Sequence, residues 1–256
     1  DIWSPATMPT MHTDGTLTLA SGTLNFPGDV TMDYNFTLTG GTVNAPTNWY
    51  MRDDFYVSGG TFNNNSGTMY FRANENSFYV TAHGITFYNV VYDKSNVDDR
   101  SIWMRDSFTI DNNVTFSKDY NHWLWIDKDP SVAVGSVVIT VNGNMIYNAT
   151  NTYDAMHIGS DNINYRLTFD LKGNFTMNVA ESEHYFRANL NFIGTGNQVI
   201  TKTNGTIDYG TWTINRPSET EGAAVSLAND LTLLDNVPFV ITAGTFTGGA
   251  HTLNLY

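Results

Sequence analysis

Three stretches, Leu17-Thr-Leu-Ala-Ser-Gly-Thr-Leu-Asn25, Phe36-Thr-Leu-Thr-Gly-Gly-Thr-Val-Asn44 and Phe55-Tyr-Val-Ser-Gly-Gly-Thr-Phe-Asn63, superimpose without a gap. Gly22, Gly41 and Gly60 recur at one constant interval, and so do Thr23, Thr42 and Thr61, and Asn25, Asn44 and Asn63. A fourth copy, Phe239-Val-Ile-Thr-Ala-Gly-Thr-Phe-Thr247, stands near the C-terminus. Apolar and polar residues alternate through each run, which is the period of a strand with one buried side. The glycine that follows supplies the positive φ of a tight corner. A unit this short cannot bury its own apolar side, so it must stack on copies of itself. A fixed period of about 20 residues is therefore the mark of a solenoid.

A second motif recurs between the first ones. It reads Trp49-Tyr-Met-Arg-Asp53, Tyr70-Phe-Arg-Ala-Asn74, Ile102-Trp-Met-Arg-Asp106 and Tyr185-Phe-Arg-Ala-Asn189, and each is read as the first strand of a coil. In the middle of the chain Gly84, Asn113, Gly143 and Gly173 are read as successive corners, so the coil lengthens while the core cross-section stays. The expectation is an all-β fold, a right-handed parallel β-helix (β-solenoid) of about eight or nine coils of roughly 19–30 residues. Residues 16–256 form one solenoid domain, and residues 1–15, with Pro5 and Pro9, an extended N-terminal arm outside the stack. Leu19, Leu38, Val57, Phe62, Phe108, Ile110, Phe169, Leu171 and Ile241 are expected to point inward.

Composition narrows the class of function. Hydrophobic residues make up 41% of the 256, enough for a core. Charged residues are only 14%, well below the usual quarter, and Asn, Thr, Ser and Gly take their place. Such an amide- and hydroxyl-coated surface suits an extracellular or cell-surface protein. A net charge of −13 repels phosphate backbones and anionic lipid, so nucleic acid is not expected as a partner, and no apolar run is long enough for membrane insertion. There is no cysteine, which removes disulfides, thiolate catalysis and Cys-ligated zinc. The chain begins Asp1-Ile2-Trp3 without a signal peptide or initiator Met, as expected of a processed protein or an excised fragment.

The phrases Gly59-Gly-Thr-Phe-Asn63, Thr86-Phe-Tyr-Asn-Val-Val-Tyr-Asp-Lys94 and Leu17-Thr-Leu-Ala-Ser-Gly-Thr-Leu-Asn25 resemble the repeats of large bacterial and archaeal surface proteins with pectate-lyase-like or adhesin-like β-helices. The resemblance covers nearly the whole chain. It implies the fold. It leaves function open among adhesins, fibres, sheaths and enzymes, because one solenoid serves them all.

The candidate ligand or partner face consists of Trp49, Arg52, Arg72, Trp103, Arg105 and Arg187. The four arginines are placed at equivalent positions of their coils, with Asp53, Asp54 and Asp106 beside them. Such a column either lines a groove for anionic sugars or forms a charge ladder or subunit contact, and the second alternative carries more weight. A lyase-like trio of calcium-binding Asp with a catalytic Arg on successive coils is not recognisable, so no catalytic residue is assigned and an enzyme is not expected. No cofactor is expected either. Asp53-Asp54, Asp98-Asp99, Asp127/Asp129 and Glu181/Glu183 offer the hard oxygen donors that Ca²⁺ takes, but none has a recognised calcium-loop spacing. The six histidines show no zinc-site spacing.

No amphipathic helix is found to cap either end, and an uncapped solenoid exposes unpaired strand edges and apolar core. The leading expectation is a self-associating fibre or sheath subunit, stacking head to tail as a homopolymer through Leu17, Leu19, Leu24, Phe239, Ile241, Phe246, Leu253 and Leu255. The alternative is an adhesin module binding surface glycans through its aromatic and Arg face. A polysaccharide lyase or hydrolase comes third.

Overall fold

In a computed structural model the alternation resolves into columns. The structure describes residues 16–26, 28–73, 77–94, 99–118, 123–133, 137–149, 156–234 and 237–256. The 1–15 arm and Asp98 lie outside them. Strands are short, such as Phe55–Val57 with Phe55 and Val57 buried and Tyr56 exposed. Every strand pairing found is parallel, and each joins a strand to the one a full coil later. The chain is therefore a parallel β-solenoid. Among the described residues there is no α-helix and a single 3-10 turn, Ile163–Tyr165.

Each coil visits three faces in the same order. The first face is a ten-stranded sheet from Val30–Met32 to Phe246–Thr247. The second is a nine-stranded sheet from Thr16–Leu19 to Thr206–Ile207. It is continued by Leu231–Leu233 and Leu253–Leu255, where the Leu234 N–H donates to Ile207 O at 3.1 Å. The third starts as a three-stranded sheet, Thr23–Asn25, Thr42–Asn44 and Thr61–Asn63, and goes on as seven strands from Thr86–Phe87 to Phe239–Ala243.

Inward columns from the three faces fill one core, with Phe36, Leu38, Met51, Phe55, Phe71, Phe78, Phe116, Phe169 and Leu171 fully buried. Rings stack coil upon coil: Phe71 on Tyr92 at 5.7 Å and Tyr92 on Phe116 at 5.3 Å. Two fully buried phenols bond inside the core, Tyr92 to the Met104 sulfur at 3.7 Å and Tyr147 to the Met156 carbonyl. Burial pushes both phenols above their ordinary pKa.

Coils grow by inserting residues between strands. Leu17 pairs with Phe36 one coil on, whereas Leu124 pairs with Met156, so the later coil is more than half as long again as the early one. The early corners need glycine for two reasons. Gly60 has φ +83°, and a Cβ there would lie 2.9 Å from the Gly40 carbonyl carbon of the coil below.

Two amide ladders run along the corners. The exposed one is the predicted Asn25–Asn44–Asn63 column, where Asn44 Nδ2 donates to Asn25 Oδ1 at 2.6 Å and Asn63 Nδ2 to Asn44 Oδ1 at 2.7 Å. The second takes over in the longer coils. Asn113 Oδ1 accepts the Asn144 N–H at 2.8 Å, Asn144 Oδ1 the Asn174 N–H at 2.9 Å, and Asn174 Oδ1 the Val199 N–H at 2.8 Å. These side chains satisfy backbone N–H groups at the bends that lead into the first face.

Three placements differ from the sequence reading. Gly84 does not share a corner with Asn113, Gly143 and Gly173: it precedes the third-face strand Thr86–Phe87, whereas the others lead into the first face. The C-terminal Gly-Thr copy also turns a different corner. Its two strands, Phe239–Ala243 and Phe246–Thr247, lie on the third and first faces, whereas Thr16–Leu19 and Thr23–Asn25 lie on the second and third. Ile241 continues the inward column of Ile214, yet it is 52% exposed because no described strand lies beyond it.

Candidate interaction surface

The strand registers separate the four arginines. Met51 pairs with Phe71, so Arg52 and Arg72 are neighbours at the edge of the first face. Arg105 and Arg187 follow strands Arg100–Met104 and Tyr185–Phe186 of the second face. They share no column there: Arg105 stands above the Trp103 position, and Trp103 pairs with Asp127, the column that reaches Arg187. The equivalence expected from the motif fails because Trp-Met-Arg and Phe-Arg occur on two different faces.

Each arginine is held by an aspartate one coil away. Arg52 meets Asp33 at 2.8 Å, Arg72 meets Asp93 at 2.5 Å, and Arg105 Nε donates to Asp129 at 2.7 Å. Arg187 grips Asp208 through two bonds of 2.8 Å, the fork-to-fork geometry that is the strongest form of this pair. That contact holds the Arg187 guanidinium above its ordinary pKa despite burial. Three of the four also stack on tyrosine: Arg72 over Tyr50, Arg105 over Tyr79 at 3.6 Å, and Arg187 over Tyr185 at 4.2 Å.

The tryptophans divide too. Trp49 is 1% exposed and wedged among Phe26, Phe36, Phe55 and Phe62. It is core, not part of an exposed face, because it lies on the inward column Trp49–Met69. Trp103, Trp123 and Trp125 stand on the outer side of the second face. Trp123 and Trp125 lie parallel with centroids 5.8 Å apart, His157 meets both edge-on, and Tyr185 continues the row 4.7 Å beyond His157. Trp103 touches Tyr165 at 6.1 Å. The second face therefore gathers Tyr79, Trp103, Trp123, Trp125, His157 and Tyr185 with Arg105 and Arg187. Tyr79 and Tyr185 escape the sequence reading, since they align with Trp103 and Trp125 only once the unequal coil lengths are known.

The acid pairs mostly serve the backbone. Asp54 accepts the Tyr79 N–H at 2.8 Å, and Asp106 accepts those of Ala82 and His83 at 2.6 and 2.7 Å. Asp129 accepts from Arg105 and from the Ser131 N–H, and despite burial its carboxyl sits below the usual range. Glu181 and Glu183 are exposed. Among the described residues no group of three or more His, Asp or Glu is placed to hold a metal ion.

Asp127 is the exception. It stands in the outward Trp103 column on strand Leu124–Lys128, next to the inward Ile126, yet it is 6% exposed. The 3-10 turn of the loop of residues 160–166 packs on this strand. Its Oδ1 is buried without a hydrogen bond. Burial first, and then the charge of Asp161 on that loop, pushes the carboxyl up to about 7, with Arg187 opposing.

At the ends of the stack the inward columns open. Strands Phe239–Ala243, Phe246–Thr247 and Leu253–Leu255 each have a described strand on one side only. Val240, Ile241, Leu255 and Tyr256 are exposed there, and Phe239, Phe246 and Leu253 are half-buried. At the other end Leu17, Leu19 and Leu24 are half-buried. All eight residues expected at an assembly interface thus lie on end coils.

Comparison with known proteins returns no family model, no curated protein and no solved structure that matches this chain.

Proposed function

We propose that this chain is a structural module of an extracellular or cell-surface assembly, a fibre or sheath subunit that stacks head to tail with copies of itself. The observation that carries the proposal is the open C-terminal coil. Ile241 and Leu255 sit in columns whose lower members, Ile214 and Leu233, are fully buried, and as the outermost described members of those columns they are exposed. An apolar cross-section of this kind, rimmed by unpaired strand edges, is a template for parallel pairing. The N-terminal coil presents the complementary edge, with Thr16–Leu19 on the same second face that Leu253–Leu255 continues. The joint uses two different surfaces, does not close, and generates an open filament. The resemblance of the repeats to microbial surface proteins and the weakly charged, amide-rich surface support the extracellular setting. The test is light scattering of the native chain against Leu19→Pro and Ile241→Lys, each of which blunts one end. Native protein grows with concentration and both variants remain monomeric. A native protein that stays monomeric at millimolar concentration removes the proposal.

A second reading has its own observation. The outer side of the second face brings Trp123, Trp125, His157 and Tyr185 into one row, with Trp103, Arg105 and Arg187 on the same face. Aromatic rings and guanidinium groups together suit a glycan adhesin. Glycan binding that is lost in Trp103→Ala or Arg105→Ala but kept in Ile241→Lys supports adhesion over assembly.

A further inference from the structure

The loop of residues 160–166 lies over the second face like a strap, and its attachments are few. Within itself it is well bonded. Arg166 donates to the Ser160 carbonyl at 3.1 Å and the Asp161 carbonyl at 2.8 Å, and Asn162 Oδ1 accepts the Asn164 N–H at 2.9 Å. None of Ile163–Tyr165 is buried, and Ile163 is exposed. The strap touches the solenoid through Tyr165 against Trp103 and Arg166 over Tyr209 at 5.9 Å. Segments with so little buried surface open far below the cost of global unfolding.

The strand that the strap packs against carries the buried Asp127, which feels the charge of Asp161 on the strap. We propose that the strap is a proton-operated cover of the second face. With Asp127 neutral the strap lies down; with Asp127 ionised it lifts and bares Trp103, Asp127 and the Arg187–Asp208 pair.

The surroundings of Asp127 explain why the charge is not tolerated with the strap closed. A buried carboxylate needs hydrogen bonds or a counter-charge. Its Oδ1 has no hydrogen bond. Arg187 is the cation that opposes the shift, but its two side-chain bonds go to Asp208. On the strap, Arg166 is turned to the loop carbonyls, Asp161 brings like charge and Tyr165 is neutral. On its own strand, Lys128 donates to the Asp129 and Val132 carbonyls and Asp129 pairs with Arg105. On later coils His157 packs on Tyr185, and Tyr185 and Tyr209 both face the Arg187 guanidinium. A lifted strap gives Asp127 water, and with it an ordinary carboxylate pKa.

The sign follows from linkage. The closed form holds its Asp127 proton up to about pH 7, whereas the open form releases it near 4. Opening therefore expels a proton between those limits and is favoured about tenfold per pH unit, up to about a thousandfold in total, before levelling off above pH 7. Below pH 4 both forms are protonated and opening is insensitive to pH.

Hydrogen exchange of the strap amides, corrected for the intrinsic pH dependence of exchange, measures the opening constant from pH 4 to 9. The native chain gives the rise and then the plateau. Asp127→Asn, which keeps a neutral group of the same shape, gives a flat line at the closed level. His157→Gln keeps the rise, which separates Asp127 from the neighbouring imidazole. A flat native profile, an unchanged slope in Asp127→Asn, or a slope lost in His157→Gln overturns the proposal.

Discussion

At the residue scale the fold rests on side chains whose position in a strand decides everything. Phe55 is fully buried and packs against Phe36, Trp49, Phe62, Phe71 and Phe87. Phe55→Ala should cost about 3–5 kcal/mol, the usual range for emptying a close-packed aromatic site, read as a lowered urea midpoint with an unchanged slope. Gly60→Val meets two obstacles at once, a positive φ and a close approach to the Gly40 backbone. It should destabilise by about 1–3 kcal/mol from backbone strain before the steric contact is added. A midpoint within error of the native one would mean the corner tolerates a side chain. Residues like these are legible in the sequence: Leu38, Val57, Ile110 and Leu171 fall inside as their alternation requires. Trp49 is not, because Trp49-Tyr50-Met51 alternates equally well with either set inward. Its column partner Met69 settles the question only when the coil length is known.

At the element scale the two amide ladders do different work. Asn44 bonds to Asn25 and Asn63 on an exposed edge, where water replaces a lost partner. Asn144 accepts a strand N–H at a half-buried bend and leaves a backbone donor behind when it is removed. Asn44→Ala should therefore cost about 0.5–1.5 kcal/mol and Asn144→Ala about 1–3 kcal/mol. Equal midpoints in chemical denaturation would contradict this ranking. The first ladder can be read from the sequence because three coils in a row keep one constant spacing. The second is hidden, since Asn89, Asn113, Asn144, Asn174 and Val199 are spaced by 24, 31, 30 and 25 residues. The same irregularity makes Arg52, Arg72, Arg105 and Arg187 look like one column in the sequence. A local motif identifies a strand, but only the coil length says which face the strand joins.

At the scale of the whole molecule the solenoid keeps one core along its axis, and its described end coils are less buried. Parallel pairing carries each face through its coils, and the inward columns keep one cross-section from Phe36 to Leu233. Beyond those limits the same columns meet solvent. Charge pairs and aromatic stacks are spread over several coils. Ile241→Lys, at a site already 52% exposed, should leave the unfolding midpoint within about 0.5 kcal/mol of native while abolishing growth. A large loss of stability would instead place Ile241 in the core of the isolated chain. Electron microscopy of the native chain at high concentration tests end-to-end stacking most directly. About ten coils at about 4.8 Å each predict filaments with an axial repeat of about 45–50 Å and no lateral sheet formation. Isolated particles at every concentration, or closed rings, would contradict it.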